Sequence, residues 1–206
     1  MPEAKPIAGS GVQTPDRVLL TAAAIILAVG LVMVASASIT LADKATGNPF
    51  YFLERQLAYA VVGLGLAFTA YSVPLSWWQR SNFLLMMLAL GMLALVLVPG
   101  IGRHVNGSIR WVVMGPFRLQ VSEPARLLIL IYIAGYSVRH HEELTTRFTG
   151  SLKPMILLGL AALLLLAEPD FGAAMVLIAS AMAMLFFGGA RLRDFILFLV
   201  LGAVGF

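Results

Sequence analysis

The longest uncharged stretch of the chain runs from Val18 to Ala42 and contains only apolar and small polar residues. At about 1.5 Å per residue, a helix of this length crosses the roughly 30 Å hydrocarbon core of a bilayer. The whole chain shares this character, since 60% of its residues are hydrophobic, 12% are charged and the mean hydropathy is +0.93. A soluble domain of 206 residues could not bury so much apolar surface. The sequence therefore predicts an all-α, polytopic helical membrane protein.

Polar segments divide the chain into six transmembrane helices plus the start of a seventh. We expect spans at about 18–42, 56–71, 82–98, 121–138, 152–168 and 171–188, with a seventh beginning at 194. The last run ends at Phe206 and is too short to cross a bilayer, so we interpret the chain as an N-terminal fragment of a longer protein. Residues 1–17 are polar and are expected to form a disordered cytoplasmic tail, followed by one transmembrane domain over 18–206.

Basic residues favour an orientation with the N-terminus in the cytoplasm, because lysine and arginine concentrate on that side of a membrane. In this orientation the inner side receives eight of them: Lys5, Arg17, Arg80, Arg139, Arg147, Lys153, Arg191 and Arg193. The outer side receives five, which are Lys44, Arg55, Arg103, Arg110 and Arg118, and Arg126 lies at membrane level. The charges form no continuous basic face, which argues against a nucleic-acid partner. The absence of cysteine excludes disulfides and thiolate chemistry.

The stretch from 100 to 126 concentrates arginine between two apolar spans, and its first part, 100–120, forms the expected outer loop. Arginine at membrane level is costly and calls for an anionic partner. The turn dipeptide Asn106-Gly107 and the turn at 114–116 flank β-like segments, which predict a small hairpin or a re-entrant element. Arg110 and Arg118 would then lie on a folded platform whose forked guanidinium groups suit a diphosphate. The alternative is a surface loop whose arginines bind lipid phosphates.

Two further groups of charge lie near the same side of the membrane. Glu123 and Arg126 are three residues apart, so they share a helix face and can pair, either as a self-neutralising ion pair or as a wall of a charged-substrate cavity. In the turn Glu168-Pro169-Asp170, Asp170 can cap the next helix. The two carboxylates of this turn also allow acid–base chemistry, or a divalent cation (Mg or Mn) held with substrate phosphates. No histidine spacing indicates a metal site.

Three segments carry a resemblance to a known family: NGSIRWVVMGPFRLQVSE at 106–123, LLLLAEPDFG at 163–172 and AMLFFGGA at 183–190. The chain resembles the SEDS family of bacterial shape, elongation, division and sporulation proteins, over about 21–206. It departs from the family where Gln120-Val121 replaces Gln-Pro, Arg126 replaces lysine and Glu168 replaces glutamine. These changes keep charge or polarity.

The resemblance implies a peptidoglycan glycosyltransferase that polymerises lipid II on the outer face of the bacterial cytoplasmic membrane, with a division role favoured over an elongation role. It also implies a class B penicillin-binding protein and other division proteins as partners. The family's catalytic Asp is expected beyond Phe206, so no catalytic residue is assigned. The expected substrate-binding residues are Arg110, Arg118, Gln120, Glu123, Arg126 and Asp170. A transporter of the lipid-linked precursor, or a scaffold of the division machinery, remains open.

Overall fold

The computed structural model describes residues 16–105, 108–114, 117–191 and 193–194, and these form two compact units divided between Ser72 and Val73. Residues 1–15 of the tail expected at 1–17, and residues 195–206 of the seventh span expected from 194, lie outside the described residues, whereas Arg17 already belongs to a helix. Each unit is built around long apolar helices. The six helices of 15 or more residues overlap the six expected spans.

The first unit consists of helices α1 (Arg17–Thr46) and α2 (Tyr51–Ser72). Asp16 caps α1, since its Oδ1 accepts hydrogen bonds from the amides of Val18 at 2.8 Å and Leu19 at 3.4 Å. Gly47 ends α1 in the left-handed conformation with φ 71°, which glycine adopts without steric cost. The loop is therefore much shorter than the predicted 43–55.

Arg55 accounts for part of that error, because it lies inside α2 and not in the loop before it. Its Nη1 donates to the hydroxyl of Tyr51 at 3.1 Å and its Nη2 to the hydroxyl of Tyr59 at 3.3 Å. These tyrosines lie one turn before and one turn after the arginine on the same helix. Charge close to a helix end was thus a poor guide to where the helix begins.

Among the described residues, the second unit contains six helices of six or more residues and a small sheet. Its elements, in chain order, are α3 (Leu75–Arg80), α4 (Asn82–Val96), β1 (Arg103–Val105), β2 (Ser108–Met114), β3 (Phe117–Gln120), α5 (Ser122–Arg139), α6 (His141–Thr146), α7 (Phe148–Ala167) and α8 (Phe171–Phe187). Helices α4, α5, α7 and α8 share one core, whose fully buried members include Met86, Leu93, Ile129, Ile133, Leu165 and Leu177.

The outer faces of these helices remain apolar, as expected of helices that meet lipid. Leu163 of α7, Met175 of α8 and Phe187 of α8 are among the large exposed hydrophobic side chains. Helices α1 and α7 are each long and apolar enough to cross a membrane, and α4 and α8 are shorter apolar helices. An apolar interior together with an apolar exterior identifies lipid as the surrounding solvent.

The sheet confirms the hairpin expected between 110 and 120 and adds a strand that the sequence did not indicate. Strands β2 and β3 pair antiparallel, with Trp111 opposite Gln120 and Val113 opposite Arg118. Strand β1 pairs with the other edge of β2, so the order is β1-β2-β3. The amide of Val121 then donates to the carbonyl of Arg110 at 3.1 Å, which joins the sheet directly to the start of α5.

The segment between the spans expected at 121–138 and 152–168 is largely helical and does not form an extended loop. It contains α6 and the first turns of α7, and Gly150 lies so close to the backbone of Glu143 that there is no room for a Cβ. His140 stacks on Tyr136 with ring centroids 4.4 Å apart, and Nδ1 of His141 lies 2.9 Å from the carbonyl oxygen of Gly188. His140 is half-buried and His141 is exposed, so both keep access to solvent.

Pro154 lies inside α7, and a hydroxyl from α5 compensates for it. A proline has no amide hydrogen, so the carbonyl of Gly150, four residues earlier, loses its helical partner. The hydroxyl of Tyr136 donates to that carbonyl oxygen at 2.8 Å. The same contact joins α5 to α7 and satisfies a backbone group that would otherwise be buried without a partner.

Candidate functional site

A buried ion pair joins the sheet to the turn between α7 and α8. Nη1 of Arg110, on β2, lies 2.9 Å from Oδ1 of Asp170, and their side chains are 29% and 4% exposed. The two residues are far apart in sequence, and the β2–β3 hairpin brings the arginine to the turn. A guanidinium that is fixed by a carboxylate and still partly exposed is suited to bind an anionic group.

Asp170 is held by a network from three other elements. Its Oδ2 accepts from Ser122 Oγ at 3.2 Å and from Gln120 Nε2 at 3.4 Å, while Gln120 Nε2 also donates to Ser122 Oγ at 3.0 Å. Its Oδ1 accepts from the amide of Ala173 at 3.2 Å. Asp170 therefore caps α8, as expected, and holds Arg110 at the same time.

The turn itself is tight and places Glu168 in the interior, just after the last residue of α7. The amide of Asp170 donates to the carbonyl of Leu165 at 2.9 Å, which closes the C-terminus of α7. Glu168 is 0% exposed, and among the described residues neither of its carboxylate oxygens has a hydrogen-bond partner. Burial raises the pKa of Glu168 to about 7, the charge of Asp170 adds to the rise and the charge of Arg110 opposes it.

Glu123 and Arg126 form the ion pair that their spacing predicts, in the first turns of α5. Their side chains are 52% and 25% exposed. Arg118 lies on β3 opposite Val113, and its side chain is exposed. Of the six expected substrate-binding residues, the structure thus gathers Arg110, Gln120 and Asp170 in one network. In the part of the chain that the structure describes, no hydrogen bond or ion pair joins Glu123 or Arg126 to it.

Ser122 and Glu168 belong to the site, although neither was among the residues predicted to bind substrate. Ser122 is 1% exposed and starts α5, where a serine is common without any functional role. Glu168 stands two residues before Asp170, and its position in a tight turn between two apolar helices was the available signal. Ser122 differs from an ordinary helix-end residue by its hydrogen bond to Asp170, and Glu168 by its burial within the influence of the charges of Asp170 and Arg110.

The expected divalent cation, held with substrate phosphates, stays a prediction, and the described residues offer no full set of protein ligands for it. They contain no group of three or more His, Cys, Asp or Glu side chains that could hold a metal ion. Asp170 already accepts from Arg110, Gln120, Ser122 and an amide, so its oxygens are committed. The arrangement instead offers positive charge from arginine to an anion.

The class of protein follows from the fold and this site: a polytopic integral membrane protein with a hairpin-and-turn site of buried charge at one end of its helix bundle. The family model described as "Cell cycle protein", which covers FtsW, RodA and SpoVE, matches residues 16–206. The chain therefore belongs to this family, which confirms the resemblance seen in the sequence.

Curated relatives in the family carry one description. A "Probable peptidoglycan glycosyltransferase FtsW" of Thioalkalivibrio sulfidiphilus is 55% identical over 172 residues, which cover 84% of this chain and 43% of the relative. Another of that description, from Nitrosococcus halophilus, is 46% identical over 194 residues, covering 94% and 50%. The chain spans about half the length of the curated relatives it matches.

Solved structures agree on the fold. The rod shape determining protein RodA of Thermus thermophilus, as its D255A mutant, matches with a TM-score of 0.64 at 28% identity, over 85% of this chain and 58% of that one. A structure titled "Structural coordination of polymerization and crosslinking by a peptidoglycan synthase complex" matches with a TM-score of 0.64 at 30% identity, over 84% and 51%.

Proposed function

We propose that this chain supplies part of a peptidoglycan glycosyltransferase that polymerises lipid II at the outer face of the bacterial inner membrane during cell division. Its relatives' description as FtsW glycosyltransferases supports the reaction class and the division role. The observation that carries the proposal within this chain is the pairing of partly exposed Arg110 with buried Asp170.

The role of Arg110 follows from the chemistry of the donor. Polymerisation breaks the bond between the donor's anomeric carbon and its lipid diphosphate, so negative charge develops on the departing diphosphate. Fixed positive charge lowers the energy of that transition state most when it is oriented in advance. Asp170 supplies the orientation, and Gln120 and Ser122 hold Asp170. The remaining expected residues, Arg118, Glu123 and Arg126, would add contacts to the substrate.

The acceptor's 4-hydroxyl must lose a proton to a carboxylate as it attacks, and no residue of this chain is assigned that role. Asp170 is committed to Arg110 and to the cap of α8, which makes it unsuited to act as the base. The proposed partners are lipid II as substrate and a class B penicillin-binding protein as the crosslinking enzyme. A structural neighbour whose title couples polymerisation to crosslinking supports the second partner.

The decisive experiment compares Arg110→Ala with Arg147→Ala in the full-length protein. Arg147 is exposed and follows α6, at the opposite end of α5 from the hairpin. Its replacement therefore removes one arginine without touching the proposed site and serves as the matched control. Removal of Arg110 should lower the rate of glycan synthesis from lipid II by about 100-fold or more. Arg147→Ala should retain polymerisation, and both variants should enter the membrane in normal amounts.

Polymer of normal length and yield from Arg110→Ala would contradict the proposed role. Adding a measurement of lipid II movement across vesicle membranes distinguishes the enzyme from a transporter. A transporter would move labelled lipid II across a vesicle membrane and leave it unpolymerised when the purified full-length protein and its partner are supplied. Glycan strands visible on a gel argue for the enzyme.

A further inference from the structure

Glu168 is a buried acid that the proposed reaction does not use. It follows the last residue of α7 in the turn into α8, it is 0% exposed, and both of its carboxylate oxygens lack a hydrogen-bond partner among the described residues. A charged carboxylate in such a place is costly, and a neutral one costs much less. Either Glu168 carries a proton in this arrangement or it must find a cation.

Arg110 is the cationic group whose charge acts on Glu168, and one of its buried donors is unused. Arg110 pairs with Asp170 through Nη1, while its Nε–H is buried and has no hydrogen-bond partner among the described residues. Arg110 and Asp170 both act electrostatically on Glu168. Arg110 therefore pairs directly with Asp170, while its charge also favours the ionised form of Glu168.

We propose that Glu168 is a positioning residue that makes the binding of an anionic ligand at Arg110 depend on pH. In its neutral form Glu168 leaves the guanidinium to Asp170 and to the ligand; in its charged form it competes for the guanidinium and adds a negative charge beside the ligand. This inference rests on the proposed function, since it takes the ligand to be the diphosphate of a lipid-linked sugar.

The charge balance gives the direction of the effect. With Glu168 neutral, Arg110 and Asp170 cancel, and an incoming diphosphate meets no net charge. With Glu168 ionised, the three groups carry one net negative charge, which repels the diphosphate. Ligand binding and protonation of Glu168 therefore favour each other. When the pH lies above the pKa of Glu168, binding of the ligand should be accompanied by uptake of a proton.

Among the side chains that the structure describes, few titratable groups face Glu168, so few of them could cause a pH effect at this site. Asp170 in the same turn and Arg110 on β2 are the charged groups that shift its pKa. Gln120 of β3 and Ser122 of α5, which complete the network around Asp170, do not titrate. The other charged groups on those two elements near the site are Arg118, which is exposed, and the ion pair of Glu123 with Arg126. The raised pKa of Glu168, about 7, places its titration in the physiological range.

The test measures binding of a lipid II analogue with a short prenyl chain to the full-length protein in detergent. Its diphosphate is a diester and gains or loses no proton near neutrality, so any pH dependence belongs to the protein. We expect the wild-type affinity to fall between pH 6 and pH 8.5, by at most about tenfold per pH unit above the titration. Glu168→Gln should lose this decline, and Glu142→Gln, at an exposed position on α6, should keep it.

A second measurement needs no ligand and shows whether Glu168 titrates as inferred. A glutamate whose pKa rises on folding, from 4.5 to about 7, binds its proton more tightly in the folded state. The stability it contributes is present in full below pH 4.5 and is lost as the pH rises through about 7. The unfolding temperature of wild type should therefore fall across this window relative to that of Glu168→Gln.

The outcomes separate this inference from the proposed function. The same decline in affinity for wild type and Glu168→Gln would overturn the role of Glu168 and leave the site at Arg110 intact. Unchanged analogue binding by Arg110→Ala would overturn the proposed site itself. If Glu168→Gln does not fold, the wild-type infrared spectrum decides: the band of a protonated carboxylic acid that disappears between pH 6 and 8 supports the inference, and its absence at pH 6 refutes it.

Discussion

At the scale of single residues, Asp170 uses one carboxylate for two purposes. Oδ1 accepts from the amide of Ala173 in the first turn of α8 and also pairs with Arg110, while Oδ2 collects the side chains of Gln120 and Ser122. Helix capping requires only an oxygen at this position, whereas holding a guanidinium requires a negative charge. A substitution that keeps the oxygen and removes the charge therefore separates the capping of α8 from the holding of Arg110.

Asp170→Asn should therefore behave differently from Asp170→Ala. Asparagine is also a good cap, so α8 should keep its start, whereas alanine should cost about 1 kcal/mol more of unfolding free energy. Both variants should lose about 100-fold in polymerisation rate, because the arginine is no longer held in place. Thermal unfolding and glycan synthesis by the full-length variants measure the two effects. Equal stability of the two variants would contradict the capping role.

The sequence predicted which residues belong to this site better than it predicted the contacts between them. Spacing along a helix was enough to predict the pair of Glu123 with Arg126, which the structure shows. The pairing of Arg110 with Asp170 depends instead on where a hairpin docks against a distant turn, and no local pattern encodes that position. Burial of Glu168 also depends on tertiary packing, so its raised pKa could not be predicted from the sequence either.

At the scale of elements, the turn residues predicted the hairpin, while charge misplaced helix ends. Met114 pairs with Phe117 across the turn that glycine and proline indicated. The Asn106-Gly107 dipeptide indicated a turn directly after β1, but the three residues of β1 carry too little periodicity to be recognised as a strand. Arg55 and Lys44 were placed in a loop, but α2 and α1 extend over them, because long charged side chains at a helix end can reach polar surroundings.

The contact of Tyr136 with the carbonyl of Gly150 can be tested by a double-mutant cycle. Tyr136→Phe should lower the unfolding free energy by about 1 to 3 kcal/mol, because a buried acceptor loses its donor. Pro154→Ala restores an amide hydrogen to α7, so the same change should cost less in that background. Unfolding of wild type, the two single variants and the double variant in detergent gives the coupling free energy between the two positions. Additive effects would show that the hydroxyl does not substitute for the missing amide.

At the scale of the whole molecule, α5 separates the proposed site from α6, which follows its other end. Its 18 residues lie between the sheet and α6. At about 1.5 Å per residue this helix is roughly 27 Å long, close to the thickness of the hydrocarbon core. The hairpin and α6 are therefore expected on opposite sides of the membrane, with the hairpin outside if the N-terminus lies in the cytoplasm.

This orientation can be measured directly because the chain contains no cysteine. A single cysteine at Val113, which is exposed on β2, should react with a membrane-impermeant maleimide in cells whose inner membrane is intact. A single cysteine at Glu142, exposed on α6, should react only after that membrane is permeabilised. The reverse pattern would show that the N-terminus lies outside and would move the proposed site to the wrong face for polymer assembly.

The double use of Asp170 also restricts how this chain can change over generations. A residue that supports both helix formation and ligand orientation cannot be replaced to improve one property without loss of the other. Selection for heat resistance that also requires activity should therefore keep Asp170 and accumulate its changes on the lipid-facing sides of α7 and α8. In a laboratory lineage selected for both stability in detergent and polymerisation, Asp170 should stay unchanged while neighbouring residues vary.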